Sequence, residues 1–304
     1  MLKNKTIART LPEYCRFMVD CHRSALHCDC LLAKKKCMES QAKTQTEKDV
    51  FKTLSPDTAH IWHFDLRQYV ASGFSSILSA DEAERAENFR FRKDELSYRF
   101  RRSILRSLLS GYLECRPEDI SFTYGPQGKP GVCTEESRQR IQFNMSTSDG
   151  ICVLVFSTNT VVGIDVEKIL PLKDCEQLLQ IFATDREQRH LHHLHRTERL
   201  SEFYRLWTIK EAVLKSVGCG FSTPGTSVAV PPGGLAHVTN EVEIGPQNAK
   251  KHRYFRQLDL GAGLSAAVAS DQSLLHLQYF DGLEYGALVD IQLGVQGLMN
   301  RSIR

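Results

Sequence analysis

The sequence has no apolar run approaching the ~20 residues that a membrane-spanning helix needs, so no membrane role is expected. Its start lacks the apolar core and small-residue cleavage site of a secretory signal. Basic residues do lead it (Lys3, Lys5 and Arg9), as in organelle import, but Glu13 and Asp20 follow early and weaken that reading. Strong charge of either sign is also missing. A net charge of +3 over 304 residues argues against a general nucleic-acid binder. No segment repeats another identically. Cysteine, by contrast, is plentiful. There are ten, and without a secretory signal they read as reduced thiols of a cytoplasmic protein. The hydrophobic (41%) and charged (25%) fractions are ordinary for a globular chain, long enough for one large domain or two modest ones.

Residues 1–54 differ from the rest. Cys15, Cys21, Cys28, Cys30 and Cys37 crowd there with His22 and His27, followed by Lys34–Lys36 and a polar tract. A small zinc site is one reading, but the spacings do not match paired zinc knuckles. A loosely ordered extension is the preferred one.

From Ala59 to Leu66 apolar and polar residues alternate as in a half-buried strand. Ser79 with Glu82 three residues later has the form of a helical capping box. A basic helical region is predicted from Ala83 to Cys115, with Ile104, Leu105, Leu108 and Leu109 as its apolar face. Its arginines suit either a solvated face or a phosphate-rich ligand. Strand and turn patterns follow: Ile120–Tyr124, a turn at Gly125–Gly131, Ile141–Ser146, the apolar run Ile151–Phe156, and Val161–Val166. Residues 174–217 read as helical, and short strands return from Ser227 onward. The order of strand, helices and strands thus occurs twice, which indicates an α+β protein of two similar halves.

Two stretches carry chemistry. Asp165 and Glu167 are two apart on a predicted strand, so their carboxylates leave one face while Ile164 and Val166 enter a core. Gly163 permits close approach of another group. Paired carboxylates repel unless a cation or proton lies between them, and oxygen ligands suit Mg²⁺ or Mn²⁺. The second stretch, Phe203–Gly218, is an amphipathic helix whose Leu206, Ile209, Val213 and Val217 form a buried stripe. Trp207, Glu211 and Lys215 lie along one face. Taken alone, Glu211 and Lys215 make a surface ion pair. Beside the Asp165 strand, Glu211 would supply a third metal carboxylate and Lys215 a phosphate contact.

These residues resemble the Sfp-type 4′-phosphopantetheinyl transferases. The resemblance rests on Gly163-Ile164-Asp165-Val166-Glu167 and on Trp207-Thr208-Ile209-Lys210-Glu211-Ala212-Val213-Leu214-Lys215-Ser216-Val217-Gly218. Tyr124-Gly125-Pro126-Gln127-Gly128-Lys129-Pro130, Phe143-Asn144-Met145-Ser146, the arginine helix from Arg102 to Leu109, and Phe182 with Glu187 add to it. It spans roughly residues 59–270 and looks nearest to the bacterial, cyanobacterial branch. One position departs: the family's histidine after the serine is here Thr147.

The resemblance implies a pseudo-dimer of two α+β halves, at 55–160 and 161–288, with a tail at 289–304. Coenzyme A would lie between the halves, and a monomer is expected. It implies transfer of 4′-phosphopantetheine from coenzyme A to a serine of an apo acyl or peptidyl carrier protein, releasing adenosine 3′,5′-bisphosphate. Asp165, Glu167 and Glu211 would hold Mg²⁺, with Glu211 also the general base and Lys215 stabilising phosphate charge. Arg102, Lys129, Ser146, Thr147, Asp165 and Lys215 would bind coenzyme A. Lys210 faces either the same cleft or solvent. The alternatives are a Mg²⁺-dependent phosphohydrolase using the same carboxylates, and a coenzyme A or carrier-binding module with weak or no transferase activity. His190, His192, His193 and His195 invite a metal reading, but exposed helix residues between the two main motifs are the preferred one.

Overall fold

Apolar runs and helical stripes become two sheets and two long helices in the computed structural model. It describes residues 50–282, except 71–76, 133–139, 173–174, 219–222, 232–239, 245–249 and 274–275. The cysteine-rich segment with Cys15–Cys37 and the 289–304 tail lie outside the described residues. The described residues from Phe51 onward belong to one compact unit.

The chain runs β1 (Thr58–Asp65), α1 (Leu66–Val70), α2 (Ala80–Glu87), α3 (Arg92–Leu113), a short hairpin of β2 (Phe122–Tyr124) and β3 (Pro130–Val132), β4 (Ile141–Ser148) and β5 (Ile151–Thr158). It continues through β6 (Val162–Lys168), α4 (Cys175–Phe182), α5 (Asp185–His193), α6 (Arg196–Val217), β7 (Asn240–Ile244), β8 (Lys251–Leu258), β9 (Leu264–Ser270) and β10 (His276–Asp281). One sheet has the order β10-β1-β5-β4 and the other β6-β9-β8-β7. The doubling shows in the elements themselves. β1-β5-β4 and β6-β9-β8 are antiparallel in the same sequence sense. α3 and α6 are each 22 residues long. Both end in a left-handed residue, Glu114 at φ 52° and Gly218 at φ 75°. Only the glycine adopts that φ without cost.

Ile61, Val153 and Val155 of the first sheet pack with Ile164, Val166 and Val268 of the second. The outer face of the second sheet (Phe255, Ala267, Ala269) is covered by Leu206, Ile209 and Val213 of α6. β1 is buried on both faces from Thr58 to Trp62, more than a half-buried strand would be. It is an interior strand, antiparallel to β5 and parallel to β10, so Thr58 and His60 are covered with the apolar positions while His63 and Asp65 near its end stay half-buried. The helical region expected from Ala83 to Cys115 is two helices, broken between Asn88 and Phe91. The Ser79–Glu82 capping box is present, with the Ser79 amide donating to Glu82 Oε2 at 3.0 Å.

Candidate active site at the seam of β4, β6 and α6

Residues two apart on a strand share a face. On β4, Asn144, Ser146 and Ser148 all face β6. The Ile164 amide donates to Asn144 Oδ1 at 2.9 Å. Ser146 Oγ donates to Asp165 Oδ1 at 2.8 Å, and Ser148 Oγ to Glu167 Oε2 at 2.7 Å. Polar side chains therefore join the two strands where no backbone ladder does. Helix α6 lies directly on the same face of β6. A Cβ built on Gly163 would stand 2.2 Å from the Ala212 carbonyl oxygen and 2.4 Å from the Ser216 nitrogen, so only glycine admits the helix. This approach brings Lys215 Nζ to Asp165 Oδ1 (2.6 Å), Ser146 Oγ (3.0 Å) and the Ile164 carbonyl (3.2 Å). Glu211 lies one turn earlier on α6.

Burial and mutual repulsion govern the three carboxyls. Asp165 is 3% exposed, and burial pushes its pKa up against the opposing pull of Lys215 and Ser146. Burial also raises Glu167, with the Asp165 charge adding to it and Ser148 opposing. Burial raises Glu211, and the charges of Asp165 and Glu167 both push it further. Asp165 Oδ2 is buried with no hydrogen-bond partner among the described residues. In this conformation the carboxylates do not converge as ligands. Among the described residues no three acidic, histidine or cysteine side chains are gathered as a metal site. Asp165 Oδ1 is taken by Lys215 instead. The chemistry of the donor set nonetheless fits a hard divalent cation: oxygen donors only, one buried oxygen unpartnered, and carboxyls that destabilise one another without added positive charge.

The remaining expected residues are placed differently. Arg102 is buried and donates to Glu82 Oε1 through Nε at 2.7 Å and through Nη2, with its guanidinium 4.2 Å from the Phe122 ring centre. Arg106 joins the same carboxylate at 2.7 Å. Lys129 Nζ donates to the Val162 carbonyl at 2.9 Å and the Lys215 carbonyl at 2.8 Å, tying the end of α6 to β6. Burial pulls its pKa down to about 8. Thr147 alternates to the opposite face of β4 from Ser146, beside Cys152 on β5, whose thiol burial pushes up to about 11. Lys210 is not turned to solvent, and it forms part of the wall of the cavity beside Glu211. It is buried, donating to Glu187 Oε2 (2.7 Å), the Phe182 carbonyl (2.9 Å) and the Gly225 carbonyl (3.0 Å). His190 stands 3.5 Å from Glu202, and His192 3.7 Å from Glu176. Beside Glu211 opens a mostly apolar cavity of about 360 Å³, with Leu178, Ile181, Phe182, Trp207 and Leu214 on its walls. Sequence reasoning missed Ser148, whose two-residue spacing from Ser146 was the available signal, and the second role of Glu82 as anchor for two arginines.

Known proteins share this arrangement of sequence. The sequence model of the 4′-phosphopantetheinyl transferase superfamily matches residues 161–268, and that of the 4′-phosphopantetheinyl transferase N-terminal region matches residues 62–159. The 4′-phosphopantetheinyl transferase HetI of Nostoc sp. is 34% identical over 172 residues, covering 56% of this chain and 73% of HetI. The chain belongs to the 4′-phosphopantetheinyl transferase superfamily. The slr0495 protein of Synechocystis sp. is 34% identical over 176 residues, 58% of this chain and 71% of that protein. The 4′-phosphopantetheinyl transferase Sfp of Bacillus subtilis is 26% identical over 197 residues, 65% of this chain and 84% of Sfp. The two matches fall on the two α+β halves, and the Asp165 strand and Glu211 helix both lie within the superfamily match. No helix among the described residues is long and apolar enough to cross a membrane.

Proposed function

We propose that this transferase moves 4′-phosphopantetheine from coenzyme A to a serine hydroxyl of an apo carrier protein, leaving adenosine 3′,5′-bisphosphate. The observation that carries this reading is the Asp165–Glu167 pair on β6, held by Ser146 and Ser148 of β4, with Lys215 of α6 on Asp165 and Glu211 in electrostatic reach of both carboxylates. Asp165, Glu167 and Glu211 are the residues that would hold Mg²⁺ (or Mn²⁺). Bound there, the cation would neutralise pyrophosphate charge and orient the group for in-line attack.

The chain's own residues have separable tasks. Glu211, one turn before Lys215 on α6, takes the proton of the attacking serine. Lys215 supplies positive charge at the same seam and meets the phosphate as negative charge moves to the leaving oxygen. Ser146 spends its one hydroxyl proton on Asp165, accepts from Lys215, and so holds both at the seam. The cavity lined by Trp207 and Leu214 has room for the uncharged pantetheine arm. Arg102 and Lys129, engaged inside the protein, act on coenzyme A by shaping the surfaces that carry the site. Thr147 lies on the face of β4 opposite Ser146 and Ser148, away from the carboxylates.

The test is a mass measurement. Incubated with coenzyme A, Mg²⁺ and a panel of apo carrier domains, the wild-type chain adds one phosphopantetheine to at least one domain. Glu211→Ala and Asp165→Ala each lower that transfer by about 10²–10⁴-fold. Wild-type turnover in either variant would sink the site assignment. Bisphosphate released without carrier modification would favour a hydrolase.

A further inference from the structure

We propose that Ser148 is a positioning residue for divalent-cation binding, acting by fixing the Glu167 carboxylate. This rests on the reading of Glu167 as a metal ligand given above. Ser148 closes β4, and its hydroxyl is engaged in both directions. It accepts from the Lys168 amide at 3.2 Å and donates to Glu167 Oε2 at 2.7 Å. With a lone pair taken by a backbone amide on β6, the hydroxyl proton is aimed at the carboxylate. The strand end is itself held. Asp149, the next residue, pairs with the Lys168 ammonium, and the turn Asp149–Gly150 has φ values of 45° and 80°. The second member of the carboxylate pair is held in the same way from the same strand, Ser146 Oγ donating to Asp165. β4 therefore presents one hydroxyl to each carboxylate of β6, two residues apart on both strands. Ser146 also receives Lys215, whereas Ser148 serves Glu167 and the adjoining backbone. A ligand side chain held in one rotamer before metal arrives loses less freedom on binding. Removing such a partner lowers metal affinity by roughly 10–100-fold.

The experiment titrates the full-length chain with Mn²⁺, following free Mn²⁺ by electron paramagnetic resonance with and without coenzyme A. Ser148→Ala is expected to weaken Mn²⁺ binding by about 10–100-fold while melting like wild type in metal-free buffer. Ser148→Thr, which keeps the hydroxyl, restores the affinity. Ser148→Cys, a poor donor of similar size, takes the place of alanine if the smaller side chain unsettles the strand. In a Glu167→Gln background, adding Ser148→Ala changes nothing further, because Ser148 acts only through Glu167. Wild-type affinity in a folded Ser148→Ala, failure of threonine to restore it, or a further loss in the Glu167→Gln background overturns the inference alone. A wild-type chain that takes no Mn²⁺, or a Glu167→Gln variant with wild-type affinity, overturns the metal reading itself.

Discussion

Three adjacent residues of β4 have three different fates. Ser146 meets Asp165 and Lys215, Ser148 meets Glu167, and Thr147 between them points to the other face beside Cys152. The family histidine at position 147 would therefore stand behind the strand that carries the carboxylates' partners. Thr147→His is expected to leave the Mg²⁺ dependence of transfer unchanged and turnover equal to or above wild type. Steady-state assays across coenzyme A and Mg²⁺ concentrations check this. A large loss would mean that coenzyme A meets this strand differently.

At the scale of elements, two contacts set where the site stands. α2 is joined to α3 through Glu82, which caps its own helix and accepts from Arg102 and Arg106. Glu82→Ala would leave two buried guanidiniums without their carboxylate, so a loss of about 3–5 kcal/mol is expected in urea unfolding. α6 rests on β6 through Gly163. Gly163→Ala would force a methyl group against helix backbone, costing about 1–3 kcal/mol. It would also push Glu211 and Lys215 away from Asp165, and displacement of about 1 Å lowers transfer about 10²-fold. A variant with wild-type melting and turnover would show that strand and helix are less closely pressed than this contact requires.

For the whole molecule, the cluster is a liability, because Lys215 alone does not offset the burial of three carboxyls. Asp165, Glu167 and Glu211 all have raised pKa values in the folded state. The folded protein then holds more protons than the unfolded chain between the ordinary carboxylate range and the raised values. Stability therefore falls as pH rises through that window, and the loss is complete above the folded values. Glu211→Gln is expected to raise the metal-free melting temperature at neutral pH and to flatten its decline with pH. Mg²⁺ should raise the wild-type melting temperature more than that of the variant. A variant that melts below wild type at every pH would contradict this account.

What the sequence by itself determined follows from short-range geometry. Strand periodicity placed Asp165 and Glu167 on one face, helical periodicity aligned Trp207, Glu211 and Lys215, and Gly163 marked a close approach. The doubled order of elements was also readable, because each half repeats a local pattern of strand, long helix and strands. Other features depended on distances between elements remote in sequence. A guanidinium suits a carboxylate as well as a phosphate, and only the packing of α2 on α3 decided that Arg102 and Arg106 bind Glu82. An ammonium near a glycine turn reads as a ligand contact, yet the fold turns Lys129 onto two carbonyls and buries Lys210 against Glu187. Ser148 lies beyond the strand pattern that ends at Ser146, and only β6 beside β4 gives its hydroxyl a role. Spacing along the chain could show that two carboxylates share a face. Only the tertiary structure could show which hydroxyl, which lysine and which helix meet them there.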